Sequence, residues 1–214
     1  MFKLNICSNP TCKHNAVSLI QNGKILDEPG YCIDHCPNKE EIEQAIFEYI
    51  RNNDKIVGLN ASGLNFYDMD FSGKRFYGCN FQRCSFSNIH SEKCRFRISF
   101  LDFAVFSDCN LIESNAQFSS FAGATFSHVL FTNSDLVHNN FCGITAYQSS
   151  FDDSDLYNSR FIGASLYNTS FRNCNVKNTN FIDITQENVS FKLSNTRATI
   201  FSENIQGVTN ESLF

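Results

Sequence analysis

Apolar side chains recur at every fifth position over about two thirds of the chain. The series runs from Phe66 to Phe201, is apolar at 25 of its 28 positions and contains 17 of the 23 Phe. The residue two places earlier is small, as at Cys79 and Ala104, and the other three positions are mostly polar. A helical period of 3.6 residues or a strand period of two does not explain this pattern. It predicts that each apolar residue and the small residue two places before it point inward together. The chain would then turn a corner after each such pair and wind into a solenoid.

Four stretches of this register resemble a known repeat unit. They are Cys79-Asn80-Phe81-Gln82-Arg83, Ser134-Asp135-Leu136, Ser154-Asp155-Leu156-Tyr157-Asn158 and Cys174-Asn175-Val176. They are similar to the A-(D/N)-L-x-x unit of pentapeptide-repeat proteins, and the similarity extends from residue 61 to about residue 206. The resemblance implies an all-β solenoid, a right-handed quadrilateral β-helix of about seven coils with four pentapeptides in each coil. Residues 20 apart are then expected to stack on one another.

Cysteine and histidine residues before the repeats resemble a small zinc module. The arrangement C-x4-C, a spacer and then G-x-C-x2-H is similar to treble-clef-like zinc knuckles. This resemblance implies zinc as the cofactor and Cys7, Cys12, Cys32 and His35 as its ligands. A segment of about 35 residues with almost no apolar core also needs a stabilising element such as a bound metal ion. The alternatives are Cys36 in place of His35, a metal-free set of thiols, or two disulfides in an exported chain.

An amphipathic helix is predicted between this module and the repeats. Pro37 suits a first helical turn, and acidic residues crowd the turn that follows. One apolar stripe runs along the segment and consists of Ile42, Ala45, Ile46, Tyr49 and Ile50. The open end of a solenoid exposes unpaired backbone groups and an apolar cross-section, which need a cover. The helix is therefore expected to cap the first coil near Leu59 and Phe66.

These elements divide the chain into four parts. We expect a zinc-knuckle-like module at residues 1–36, a capping helix and linker at 37–56, the β-helix at 57–206 and a C-terminal tail at 207–214. In the tail, Leu213 and Phe214 are expected either to fold back as a second cap or to pair with a second copy of the chain. A homodimer is thus one of the predicted assemblies.

The composition of the 214 residues is that of a folded protein, with 42% hydrophobic residues and a net charge of -5. The sequence contains no run of about 18 apolar residues, and its first six residues are too short and too polar for a signal peptide. A cytoplasmic protein is therefore expected. In that compartment thiols remain free, and five of the ten cysteines occupy the small inward position, namely Cys79, Cys84, Cys94, Cys109 and Cys174.

The sequence lacks the parts of a catalytic site. Catalysis needs a cleft in which titratable groups converge, whereas the register of residues 66–201 contains no inserted loop to build one. Phosphate-binding loops of the G-x-x-x-x-G-K-[ST] and G-x-G-x-x-G types are also absent from the sequence. The chain is therefore predicted not to be an enzyme.

Two groups of outward residues are candidate interaction surfaces. Acids dominate residues 98–159, where no Lys or Arg occurs, and the group at neighbouring corners of the coil consists of Asp135, Asp152, Asp153 and Asp155. The second group is apolar at positions that are otherwise polar and consists of Ile98, Phe100, Phe103 and Phe118. The acids either meet a basic partner or are solvated. The apolar residues mark either a contact surface or the place where the N-terminal module packs.

These features predict a protein-interaction or scaffold module that presents a rigid surface to a protein partner. The family resemblance implies an alternative, because some pentapeptide-repeat proteins imitate duplex DNA and bind DNA gyrase or another type II topoisomerase. A charge near zero over much of the solenoid and the lack of a projecting loop count against it. The third alternative is zinc-dependent nucleic-acid binding through the six basic residues of 74–97, but aromatic and basic residues interleave only at Arg95-Phe96-Arg97.

Overall fold

The computed structural model describes residues 5–202. The C-terminal tail expected at residues 207–214, with Leu213 and Phe214, lies outside the described residues. Within residues 5–202 the chain forms a small N-terminal module, one α-helix and a solenoid of short parallel strands. None of the helical structure in this range is long and apolar enough to cross a membrane.

The strands of the described chain are only two or three residues long. In chain order the elements are β1 (Leu19–Gln21), β2 (Lys24–Leu26), α1 (Lys39–Asn52), β3 (Lys55–Val57), β4 (Asn65–Tyr67), β5 (Arg75–Tyr77), β6 (Ser85–Ser87), β7 (Arg95–Arg97), β8 (Val105–Ser107), β9 (Thr125–Ser127), β10 (Thr145–Tyr147), β11 (Ser165–Tyr167), β12 (Asn180–Phe181), β13 (Thr185–Glu187) and β14 (Ile200–Phe201). The antiparallel hairpin of β1 and β2 was not predicted. Its turn is Asn22-Gly23, and both residues have a positive φ, as a tight hairpin requires.

The parallel strands pair at a constant offset of 20 residues, so that Phe66 lies opposite Phe86. Isolated bridges continue the same offset where the chain forms no strand. Each coil therefore takes 20 residues and has four sides. We name the sides after the inward residues of the first full coil, Phe66, Phe71, Phe76 and Phe81. The residue two places after each inward residue, which we call the corner residue, has a positive φ from Gly58 to Ala198.

The register begins earlier than the Phe series. Strand β3 pairs with β5, and Ile56 and Ala61 therefore occupy the first two inward positions, where both are fully buried. The Phe series could not reveal these two positions because an Ile and an Ala fill them. The predicted all-β solenoid of about seven coils is confirmed.

Stacked aromatic rings fill the axis of the solenoid. On the Phe81 side, the ring of Phe141 lies 5.0 Å from that of Phe121 and 4.8 Å from that of Phe161, with interplanar angles of 11° and 16°. Phe151 on the opposite side of the coil meets Phe141 edge to face at 5.8 Å. Burial of each Phe stabilises the fold by about 1.5 to 3 kcal/mol. The column therefore holds strands that are too short to be stable alone.

The small inward residues supply hydrogen-bond donors as well as space. The hydroxyls of Ser134 and Ser154 donate to the carbonyls of Leu111 and Phe131 in the preceding coil, at 3.0 and 2.7 Å. A thiol does the same at Cys84, whose Sγ lies 3.0 Å from the carbonyl oxygen of Ala61. Burial raises the pKa of the Cys84 thiol to about 12, so that it remains a neutral donor. The thiols of Cys84 and Cys174 thus donate to carbonyls of the preceding coil as the inward serines do.

The helix α1 covers the first coil. Its residues Ile46 and Ile50 are fully buried, and Phe47, which lies outside the predicted stripe, places its ring 5.3 Å from that of Phe66. The C-terminal end of α1 is held by Lys74, whose Nζ donates to the carbonyls of Arg51 and Asn53 at 3.2 Å each. Lys74 is buried, and one of the six basic residues of 74–97 is therefore not available to a partner.

The N-terminal module docks on the Phe81 side of the first coils. Ser18 N donates to the Asn60 carbonyl at 2.7 Å, and Asn60 N donates back to Ser18 Oγ at 2.9 Å. Asn15 Nδ2 donates to Gln82 Oε1 at 3.2 Å. The module also reaches Gly63, where an added Cβ would lie 3.1 Å from Ile33. These contacts fix the module next to the apolar group of the following coils.

Candidate functional site

The four residues predicted to bind zinc lie together in the structure. The ligand atoms of Cys7, Cys12, Cys32 and His35 all lie within 4.8 Å of one another. The Sγ atoms of Cys12 and Cys32 are 3.8 Å apart, and His35 Nδ1 lies 3.2 Å from Cys32 Sγ and 3.7 Å from Cys7 Sγ. A tetrahedral zinc ion with Zn–S of about 2.3 Å and Zn–N of about 2.0 to 2.1 Å separates two sulfurs by about 3.8 Å and a sulfur from a nitrogen by about 3.5 Å. The donor set therefore fits zinc.

Two tight turns bring these donors together. Cys7 N donates to the His14 carbonyl at 2.9 Å and Cys12 N to the Asn9 carbonyl at 3.0 Å, which folds the first pair. In the second turn, His35 N donates to the Cys32 carbonyl at 3.0 Å. Each turn thus presents a close pair of ligands, the arrangement that small zinc modules use.

The alternatives to this ligand set are the disulfides, Cys36 and His14. All ten cysteines lie in the described chain and all are free, so that neither of the alternative disulfides is formed. Among residues 5–202, Cys36 is not part of a cluster that could hold a metal ion. His14 belongs to a second, smaller group with Cys32 and Asp34, but its Nε2 accepts a hydrogen bond from Arg83 Nη1 at 2.6 Å.

The thiols of the cluster differ in acidity. Burial raises the pKa of Cys32 to about 11. At Cys7 the raising effect of burial is outweighed by hydrogen bonds from the backbone of Cys32 and Asn9 and from the side chains of Cys32 and His35, which lower the pKa to about 7. A thiolate is the form that binds metal, and Cys7 reaches that form near neutral pH.

The apolar group forms one exposed cluster, which we call the apolar cluster. Ile98 and Phe103 are each 62% exposed, Phe118 is 53% exposed, and Phe100 is 37% exposed. Ile98 and Phe118 are corner residues of the Phe76 side in consecutive coils, and Phe103 is a corner residue of the Phe81 side. Phe118 also stacks on His138 at 5.0 Å.

The backbone of the apolar cluster is strained. Ile98, Phe103 and Phe118 have φ angles of 54°, 58° and 57°, a region that costs a non-glycine residue about 1 to 2 kcal/mol. Gly123 supports the Phe103 ring, because an added Cβ at Gly123 would lie 2.7 Å from the ring carbons. Most of the other corner residues are Gly, Asn or Asp, which adopt this conformation with less strain.

A groove of about 490 Å³ separates the N-terminal module from the Phe81 side. Phe103 lines it together with Lys13, His14, Asp34 and Arg83. The charged groups partly satisfy one another, since His14 Nδ1 lies 3.5 Å from Asp34 Oδ2 and His14 Nε2 accepts from Arg83. Sequence reasoning did not find this groove, because the docking of the module creates it.

The predicted acidic group is divided between two sides. Asp135 and Asp155 are paired in consecutive coils of the Phe76 side. Asp152 and Asp153 follow Phe151 on the Phe71 side, where Asp152 Oδ1 accepts from Arg172 N at 2.7 Å and Asp153 Oδ1 accepts from Asn173 Nδ2 at 2.7 Å. Only the first pair therefore lies on the outer surface of the Phe76 side.

Sequence reasoning missed a basic group on the same side as these two acids. Lys55, Arg75 and Arg95 occupy the same outward position in three consecutive coils and are all exposed. Reading every twentieth residue from Lys55 would have found them. The Phe76 side thus carries basic residues at its beginning and acidic residues in its middle.

Comparison with known proteins agrees with the fold. Residues 124–201 match the family model of the pentapeptide repeat region, and residues 101–137 match the model of pentapeptide repeats in eight copies. No curated protein matches the chain.

Similar solved structures include three repeat proteins. HetL, from the cyanobacterium Nostoc sp. strain PCC 7120, is 11% identical, with 73% of this chain and 93% of that chain covered and a TM-score of 0.31. QnrB1, a plasmid-mediated fluoroquinolone resistance protein, is 13% identical, with coverages of 70% and 89% and a TM-score of 0.31. Rfr23, from the cyanobacterium Cyanothece 51142, is 14% identical, with coverages of 72% and 96% and a TM-score of 0.27. Residues 101–201 of the chain therefore belong to the pentapeptide-repeat family.

Proposed function

We propose that the protein is a non-enzymatic interaction module whose apolar cluster docks a protein partner. The observation that carries the proposal is that Ile98, Phe103 and Phe118 each reduce the stability of the fold in two ways. Each of these corner residues exposes more than half of an apolar side chain and holds a positive φ that Gly, Asn or Asp would adopt with less strain. A single residue of this kind is tolerated, as at Leu193, but three of them in two neighbouring coils are expected where the surface binds something.

Zinc is the proposed cofactor, and its role is structural. Cys7, Cys12, Cys32 and His35 would hold the ion and fill all four positions of a tetrahedral site, which leaves none for a substrate. The bound ion would fix the module against the Phe81 side through Asn15 and Ser18. In this way zinc would keep one wall of the groove next to Phe103 in place.

Replacing Phe103 with Asn tests the docking proposal. Asn tolerates the left-handed corner, so the free energy of unfolding is expected to rise by about 1 kcal/mol while partner binding is lost. The measurement is chemical denaturation, followed by capture of cross-linked partners from native lysate. An improved fold combined with lost capture cannot be attributed to misfolding.

Leu193→Asn is the matched control. Leu193 is a corner residue with a φ of 66° and is 70% exposed, but it lies in the last coils, far from the apolar cluster. The same gain in stability is expected, with capture unchanged. Equal capture by Phe103→Asn and the wild type, or equal loss in both variants, would contradict the proposal.

The topoisomerase alternative remains a prediction from the family resemblance. A DNA mimic needs a continuous acidic surface, whereas the Phe76 side, which carries Asp135 and Asp155, begins with Lys55, Arg75 and Arg95. We therefore expect no inhibition of gyrase supercoiling and no protection from fluoroquinolones in a purified assay. Inhibition at a stoichiometric ratio would favour the DNA mimic over the docking proposal.

A further inference from the structure

One column of outward residues on the Phe76 side changes sign along the solenoid. Parallel pairing places one of its residues in each coil, in the order Lys55, Arg75, Arg95, Asn115, Asp135 and Asp155. Consecutive coils are about 4.8 Å apart. We call this set the charged column. Its basic and acidic halves are arranged on either side of Asn115.

Neither half of the charged column is neutralised within residues 5–202. The ion pairs of this range do not include Arg75, Arg95, Asp135 or Asp155. The acids accept hydrogen bonds from neutral groups instead. Asp135 Oδ1 is buried, and its Oδ2 accepts from Asn115 Nδ2 at 3.0 Å and from Gln117 Nε2. Asp155 Oδ1 accepts from Asn175 Nδ2 at 3.0 Å and from Tyr157 N at 2.9 Å. Like charges in adjacent strands repel one another. The column is therefore set up for opposite charges from outside the chain.

We propose that two copies of the chain associate through their Phe76 sides, antiparallel, about a two-fold axis at the level of Asn115. When this two-fold axis is parallel to the strands, the Phe76 sides of the two copies lie face to face. The coils of the second copy then follow in the reverse order. Arg95 then faces Asp135 of the second copy, and Arg75 faces Asp155. Because the contact is isologous, each of these ion pairs occurs twice. The second copy is thus the partner whose charges complement this surface.

The neighbouring column of the same side is compatible with this arrangement. The same axis places Tyr77 opposite Tyr157 and Arg97 opposite Val137 of the second copy, so that no like charges meet there. At the edge of the side Glu113 faces its own copy, and its charge is balanced by Lys93 Nζ at 3.5 Å. The four ion pairs lie within two coils, about 10 Å, of the axis, where the twist between two solenoids moves residues least.

The contact is expected to be weak and dependent on salt. A side that is three residues wide and five coils long buries less than the roughly 800 Å² per partner of a standard interface. Ion pairs at such an exposed surface are screened by salt, with a Debye length of about 10 Å at 0.1 M. Charge therefore sets the register of the dimer, and burial contributes little.

Reversal of charge tests the proposal by sedimentation velocity on the full chain at concentrations up to about 500 μM. The wild type is expected to dimerise, with a dissociation constant that rises about tenfold between about 30 and 300 mM NaCl. Arg75→Asp turns two attractive contacts into repulsive ones and is expected to weaken the dimer about 100-fold. Combining Arg75→Asp with Asp155→Arg is expected to restore the dimer to within about threefold of the wild type.

Arg172→Asp is the control variant, since it makes the same change in net charge on the Phe71 side. It is expected to leave the dissociation constant within about threefold of the wild type. A monomeric wild type, a dimer insensitive to Arg75→Asp, or a double variant that stays monomeric would each overturn the proposal. Phe103 is a corner residue of the Phe81 side and lies outside this contact, so Phe103→Asn is expected to dimerise as the wild type does. Ile98 and Phe118 lie at the edge of the Phe76 side, where the second copy would partly cover them.

Discussion

Replacing Phe141 with Asp is expected to leave the solenoid unfolded at 25 °C. Phe141 is fully buried and stacks between Phe121 and Phe161. Loss of a buried Phe costs about 3 to 5 kcal/mol, and an unpaired carboxylate in the same space adds several kcal/mol. The sum is comparable with the stability of about 5 to 15 kcal/mol that is usual for a folded protein. Circular dichroism and urea titration measure the effect.

Two substitutions make this prediction specific to the buried column. Phe141→Leu is expected to cost only about 1 to 2 kcal/mol, because Leu101 and Leu156 already occupy inward positions of the same register. Phe103→Asp introduces the same charge at an exposed corner and is expected to fold. If Phe141→Asp unfolded at the same urea concentration as Phe103→Asp, the ring would not be part of the core.

Replacing Cys32 with Ser is expected to remove zinc from the purified protein and to unfold the N-terminal module. Cys32 lies closest to two other ligands, at 3.8 Å from Cys12 Sγ and 3.2 Å from His35 Nδ1. Structural zinc sites in small modules contribute about 10 to 16 kcal/mol of apparent binding free energy at pH 7, more than a module of this size gains from its apolar core. Elemental analysis measures the zinc, and hydrogen exchange measures the order of residues 5–36.

Cys36→Ser is the control that separates the two ligand sets. It removes a thiol from the same turn, and one zinc per chain is expected to remain bound. Retention of zinc by Cys32→Ser would contradict the site. Loss of zinc from Cys36→Ser with retention by His35→Ala would replace His35 with Cys36 as the fourth ligand.

The inward residues of the solenoid were predictable from the sequence because burial is periodic. Only a chain that turns after each inward pair buries every fifth residue, so Phe121, Phe141 and Phe161 could be assigned to one column before the structure was known. Lys74 shows how strict this rule is. It lies two places before Phe76, at an inward position, and the structure buries it although its charge suggested a surface role.

Contacts between segments that are distant in sequence were not predictable. Asn15 and Gln82 are both polar and 67 residues apart, and neither belongs to a periodic pattern that would pair them. The groove beside Phe103 depends on such contacts and therefore had no signal of its own. The charged column was different, because its spacing of 20 residues was present in the sequence. Asp135 and Asp155 were predicted to stack, whereas Arg75 and Arg95 were read along the chain instead of across the coils.

The buried inward thiols can report where the solenoid opens first. Burial raises the pKa of Cys84 and Cys174 to about 12, and alkylating reagents therefore reach them only after the surrounding coil has opened. Cys84 belongs to the first coils and Cys174 to the last. Coils contact only their neighbours, so the order in which these two sulfurs become labelled reports which end separates first under denaturing conditions.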